Sequence, residues 1–299
     1  MPNDVVGVGA NSVDFVYRLP SFPLPDSVFA KLPITEHFIS CGGQVTTALA
    51  TCAEMGLRTS YIGTIGADRN GAVMRDELMR RGVDATYAIE RTAANPFAVI
   101  LLDNRRGERV VLWHRDEAVA LTPVDIDDTT IIAARLVHVD DVDIAASVKA
   151  AHLARAAGKP VTSDIEQATD AARTLIDAVT IPIFAEHVPA ALTGETDLSR
   201  ALVQLRQPHH AMLCVTRGAQ GALLVAGDDV IREAGITVTT VDTTGAGDIF
   251  RGAFIYALLR GDSPREILQF ANAAAALSCT RVGAMSSIPS LEEVRGLVR

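Results

Sequence analysis

The chain has 299 residues, 48% hydrophobic and 21% charged, with a formal net charge of −9 at pH 7. That length and balance describe a globular protein with ample core, and the acidity excludes a broad basic surface for nucleic acid, whose affinity rests on neutralised phosphates. Cys41, Cys52, Cys214 and Cys279 form no C-x-x-C pair, so neither a zinc site nor a disulfide framework is implied.

The N-terminus enters a strand-like run at residues 5–8 with no basic n-region, and no apolar stretch reaches transmembrane length, so a cytoplasmic location without a membrane is expected. Residues 15–40 hold four prolines among mixed strand-like pieces. Residues 46–55 read as an Ala-rich helix, 60–65 as a strand and 71–81 as a helix ending at Gly82. Residues 97–114 read as two strands around an Asn104-Arg105-Arg106-Gly107 turn. Strand 136–139, helix 145–157 and strand 161–164 follow, then strands 211–216 and 221–226, a β-branched run at 236–241 read as a strand, and helices 249–260 and 264–279. Alternating strands and helices predict an α/β fold, a mostly parallel sheet between helical layers. The 15–40 and 97–114 segments belong to neither pattern and are expected to form a small β-sheet lid, an elaboration of a single 1–299 domain. An exposed strand edge there offers a homodimer interface.

Residues 242–248, Asp-Thr-Thr-Gly-Ala-Gly-Asp, carry the strongest functional signal. They stand where an expected strand turns into a helix. Small residues let backbone N–H groups approach a ligand, and the helix start adds unpaired donors and positive potential, which together make an anion nest. A carboxylate beside such a nest repels the ligand unless it has a chemical task, and for Asp248 proton abstraction is that task. With an unperturbed pKa near ~3.9, it is expected to be ionised at neutral pH.

The string resembles the C-terminal signature of the PfkB-type carbohydrate kinases, the ribokinase-like family, and Cys41-Gly42-Gly43 with residues 46–56 resembles its N-terminal signature. The run at 9–14, the Thr216-Arg217-Gly218 turn to Gly221, Asn272 and the Arg281-Val282-Gly283-Ala284 tail fall in family order. The resemblance implies a ribokinase-like three-layer fold and transfer of the ATP γ-phosphoryl group to a primary hydroxyl of a sugar or sugar derivative. It makes Asp248 the general base and Gly245, Ala246 and Gly247 the anion hole. Asp14, Gly42, Gly43 and Thr47 would bind the acceptor, and Thr216, Gly218, Gly221, Thr244 and Asn272 the nucleotide. Magnesium would arrive with ATP, and potassium could be held in a loop around Asp242, Thr244 and residues 281–287.

Several positions depart from the family. Thr47 stands where Asn is usual, and the Asn-x-x-Glu element that organises magnesium falls at Ala185 and Val188, leaving Glu186 as the acid offered to the metal. With the Cys279-Thr280-Arg281 ending and Lys31, these positions resemble the sulfofructose kinase branch, yet Trp113 and Val142 stand where that branch needs polar contacts. Arg105, Arg106, Arg109 and Arg115 make the second lid segment basic; recognition of an acidic sugar, with Arg109 among the binding residues, competes with a solvated hairpin.

Two other readings remain open: a nucleoside kinase of the same fold, against which the 5% aromatic content counts weakly, and a nucleotide or sugar sensor without efficient turnover. A dinucleotide oxidoreductase is disfavoured because the 6–11 run lacks the third glycine of its fingerprint. A P-loop and a nucleophile elbow are absent, and no histidine pair has convincing metal-ligand spacing.

Overall fold

The β-branched runs pair as strands, and the Ala-rich segments cover both faces of them, in a computed structural model that describes residues 3–23, 31–103, 105 and 109–298. Five parallel strands lie in the order Val161–Asp164, Leu136–Asp140, Val5–Val8, Thr59–Ile62, Val83–Asp84. A second set, Ile183–Phe184, Met212–Thr216, Ala222–Ala226 and Asp229–Glu233, continues from the edge at Val161–Asp164 through bridges joining Thr162 to Ile181 and Ile165 to Phe184. Only Ala222–Ala226 runs against both its neighbours.

Alternate side chains leave a strand on opposite faces, and here both faces are apolar. Val6, Val8, Val137, Val139 and Val161 pack with Ala146, Ala150 and Ala154 of helix Ile144–Ala156. Val5 and Leu136 belong to the opposite core, with Leu49 of helix Gln44–Glu54 and Ile249, Ala253 and Phe254 of helix Ala246–Arg260. The result is a three-layer α/β/α body. Helix ends follow local chemistry: the Asp68 carboxylate accepts from Gly71 N–H at 2.9 Å to start helix Arg69–Arg80, and Gly82 at φ 74° lets the chain leave it.

The structure corrects three expectations about elements. Residues 236–241 form no strand; Ile236, Thr237, Val238 and Thr240 line a cavity instead of entering the sheet. The run at 60–65 breaks at Gly63 into Thr59–Ile62 and Thr64–Gly66, and the missing side chain at 63 leaves room for the Tyr61 hydroxyl. Strand Asp229–Glu233 and helices Asp170–Ala178, His187–Thr193, Leu198–Leu205 and Leu291–Val298 were not anticipated.

The two segments outside the α/β pattern meet in one four-stranded sheet, in the order Glu36–Gly42, Ser12–Leu19, Phe97–Asp103, Arg109–His114. Arg106 and most of the expected turn at 104–107, like part of the 15–40 segment, lie outside the described residues. This lid sheet is pinned to the body by buried amides. Asn11 Nδ2 donates to Thr64 O at 2.7 Å and to the Tyr61 hydroxyl at 3.1 Å, and Asn95 Nδ2 donates to Asn11 Oδ1 at 2.9 Å.

Candidate active site

Helix Ala246–Arg260 begins at Gly245, whose φ of 76° lies in the left-handed region and whose missing side chain leaves room for Ala284, 2.7 Å from where a Cβ would stand. A glycine is needed on both counts. Asp242, buried, fixes the approach: Oδ1 accepts from Thr244 N–H at 2.9 Å and the Thr244 hydroxyl at 2.7 Å, and Oδ2 accepts from Gly283 N–H at 2.8 Å. The carboxylate is thus a clamp between the nest loop and the 281–287 segment. Of the expected anion-hole donors, Ala246 N–H already bends back to Thr243 O at 3.3 Å.

Asp248 sits in the first turn of the helix and is half-buried. Burial, then the charge of Glu166, push its carboxyl up to about 7; the Arg251 guanidinium pulls the other way, and Asp14 adds to the rise. This differs from the expectation of an ordinary carboxylate: loss of water and the surrounding acids disfavour the charged form of Asp248. Beneath it, Arg251 Nη2 lies 2.6 Å from Asp164 Oδ1, with both side chains fully enclosed.

A cavity of about 410 Å³ opens on the other side of the helix start. Thr216, Gly218, Gly221 and Asn272 line it, and it reaches Ala246 and Gly247. Gly221, at φ 85°, allows the approach of the 233–235 loop, whose Glu233 O would stand 2.2 Å from a Cβ. Asn272 Nδ2 donates to Glu233 O and Ala234 O at 3.2 Å each, holding that wall in place.

Asp14 faces the nest from the lid sheet. It is 6% exposed, accepts from the Ser12 hydroxyl at 2.7 Å, and burial raises its pKa. Gly42 leaves space for its Oδ2, 2.9 Å from a would-be Cβ, and Gly43 at φ 102° brings the next backbone turn against Asn11. Strand register puts Asp14, Ala98 and Trp113 in one row and Leu102 and Arg109 further along the same face. Arg109 crosses to the nest and donates from Nη1 to the Thr243 and Thr244 hydroxyls at 3.3 Å.

Other expected residues are not brought together. Thr47 is enclosed, its Oγ1 without a hydrogen-bond partner among the described residues. Lys31 is exposed outside regular structure. Arg105 turns to Pro20 O and Arg115 to Asp143, so neither points a free charge at the nest. Glu186 lines a separate cavity with Asp197, Arg217 and Arg232, while Val188 packs in an apolar core. Sequence reasoning missed Asp140, Asp141, Asp164, Glu166 and Arg251. The acids at strand ends 140–141 and 164–166 are a signal that was available, since ligands of open α/β sheets bind at the carboxyl ends of strands.

Residues 31–291 match the family described as pfkB family carbohydrate kinase. The chain is 27% identical to fructokinase-2 of Oryza sativa subsp. japonica, over 99% of this chain and 94% of that one. It is 27% identical to a nucleoside kinase of Methanothermobacter thermautotrophicus, over 97% and 94% respectively. The ribokinase of Arabidopsis thaliana, solved with ribose and ATP, superposes with a TM-score of 0.86 at 25% identity, over 100% of this chain and 99% of that one.

Proposed function

Since the chain belongs to the pfkB family of carbohydrate kinases, we propose that it moves the γ-phosphoryl group of ATP to a primary hydroxyl of a sugar or sugar derivative, with Asp248 as the general base. The observation that carries this reading is the junction of the 410 Å³ cavity with the nest: the cavity ends at Ala246 and Gly247, and the next residue is the acid poised near neutrality. ATP would lie along Thr216, Gly218, Gly221 and Asn272, its γ-phosphate at the start of helix Ala246–Arg260. The acceptor would lie between Asp14 and Asp248, under the lid sheet. As its hydroxyl oxygen attacks phosphorus, Asp248 takes the proton while the nest donors and Arg109 meet the charge on the phosphoryl oxygens.

Magnesium, when bound, neutralises the β- and γ-phosphates. No group of three His, Cys, Asp or Glu side chains suited to a metal stands among the described residues. Two copies are proposed to pair through the lid sheet, whose edge strand Arg109–His114 is exposed along its length.

The test is ADP release against a panel containing D-ribose, D-fructose and adenosine, run on wild type and Asp248→Asn. Turnover with one acceptor, reduced by about 10²–10⁴-fold in the variant, is expected. Undiminished turnover in Asp248→Asn would sink the assignment of the base. A sensor is the second reading, favoured by Val188, which packs in the core where the family carries its metal-organising acid. Binding of nucleotide without turnover on any acceptor would select it.

A further inference from the structure

We propose that Arg251, one helical turn beyond Asp248, is a positioning residue that keeps the Asp248 carboxylate charged and oriented toward the acceptor, with Asp164 anchoring the guanidinium beneath the nest. The inference rests on the phosphoryl-transfer reading only for its consequence in turnover; its geometry is independent of the acceptor.

Arg251 is the largest fully buried side chain among the described residues. Its Nη1 lies 2.8 Å from where a Cβ on Gly247 would stand, so the guanidinium lies against the nest backbone, and a side chain there would displace it. Its Nη2 meets Asp164 Oδ1 at 2.6 Å, but the angles make no aligned hydrogen bond: Arg251 Nε and Nη2 and both Asp164 oxygens are left without one. An ion pair buried so incompletely satisfied gains nothing over packed apolar side chains, and such unsatisfied groups call for another explanation. The neighbouring charges supply it.

Around Asp248 stand Asp164 and Glu166 from the end of one strand, and Asp14 from the lid sheet; Asp141, from the end of the next strand, presses on Asp164. Asp141 is held by Glu166 and Gln167 N–H groups at 2.7 Å each. His138, below, shares a hydrogen bond with Thr162 at 3.0 Å and is kept neutral by burial and by Arg251. Arg251 is the cation set among these acids. Like charges this close cannot all ionise, and Asp164 and Asp248 titrate as a pair. Removing Arg251 leaves Asp248 protonated at neutral pH, and a neutral carboxyl is too weak a base to take the acceptor's proton.

The test is a ¹³C carboxyl NMR titration of the ligand-free protein, with the Asp248 resonance identified by its loss in Asp248→Asn. Arg251→Met is expected to raise the Asp248 midpoint by about one to three pH units, and Arg251→Lys, which keeps the charge, to restore most of it. Asp164→Asn removes one member of the acid pair and is expected to lower the upper midpoint. In an assay with an accepted sugar, the acid limb of the kcat profile moves with the midpoint while KM for ATP stays unchanged. An unmoved midpoint in folded Arg251→Met overturns the proposal. If Arg251→Met fails to fold, Asp164→Asn decides, and an unmoved upper midpoint overturns it; loss of folding in all three variants marks the pair as purely structural and overturns it too. Because the titration needs no acceptor, an enzyme without turnover would refute the function and leave this result standing.

Discussion

The nest and the lid sheet face each other across the site and are built on opposite terms. In the nest, backbone does the work: Gly245 has a left-handed φ, Asp242 clamps Thr244 and Gly283, and Gly247 yields to Arg251. Each position is fixed by several constraints at once. On the lid, Asp14 is buried, but Arg109 reaches Thr243 and Thr244 by two long hydrogen bonds and Trp113 is 76% exposed. On the proposed reading, reaction type belongs to the over-determined side, and choice of acceptor to the side that can change a residue without unfolding.

The comparison breaks most clearly at Gly245. Gly245→Val puts a β-branched side chain at φ 76° and drives its Cβ to 2.7 Å from the Cβ of Ala284. The nest donors would leave their places, and turnover is expected to fall by about 10²-fold or more with a loss of stability of ~1–3 kcal/mol. Steady-state kinetics and thermal melting check both. A variant that keeps near-wild-type turnover would show that the nest is not over-determined.

That asymmetry also governs what the sequence reveals. Backbone requirements select residue types, so Gly245, Gly42 and Gly43 stand out in the chain and Gly82 marks a helix end in advance, whereas the Asp68 cap lies upstream of the expected start at 71. Pairing partners far apart in sequence do not stand out. Arg251 reads as an ordinary polar residue in a helix until strand order brings Asp164 beneath it. The run at 236–241 reads as a strand because β-branched residues suit both a pleated sheet and a cavity wall, and only tertiary context decides between them. Thr47, expected from the resemblance to touch the acceptor, is fully buried, a placement that its position in the sequence does not reveal.

On the lid side, Arg109→Ala is expected to lower kcat/KM by about tenfold, the equivalent of ~1.4 kcal/mol, while melting stays within ~1 °C because an exposed side chain carries little stability. A melting shift comparable to that of Gly245→Val would erase the contrast between the two regions. Trp113 gives a milder readout. It is the single tryptophan of the chain and shares a face with Asp14 and Arg109. A bound acceptor should change its fluorescence saturably, and a spectrum that stays constant while calorimetry reports binding would move the acceptor away from this face.

A further expected effect is one of stability, and its sign separates the acid of the nest from an acid that serves the fold of the body. In the unfolded chain Asp248 titrates near ~3.9, whereas burial and Glu166 hold it near about 7 in the fold. Between those values the folded protein keeps a proton that the unfolded chain releases, so stability falls as pH rises through this window and the full cost is present above 7. Asp248→Asn removes that cost. Its melting temperature should therefore exceed wild type at pH 8, by about 2–4 °C for each kcal/mol regained, and match it near pH 4. Asp4 behaves in the opposite sense: the Arg58 hydrogen bonds, joined by Arg135, hold its carboxyl below the usual range, so its stabilisation is present above ~4 and lost as pH falls. Melting Asp248→Asn and Asp4→Asn at both pH values distinguishes an acid kept under strain for chemistry from one kept for the fold. A gain in Asp248→Asn that is equal at pH 4 and pH 8 would mean that packing, and not charge, sets the cost.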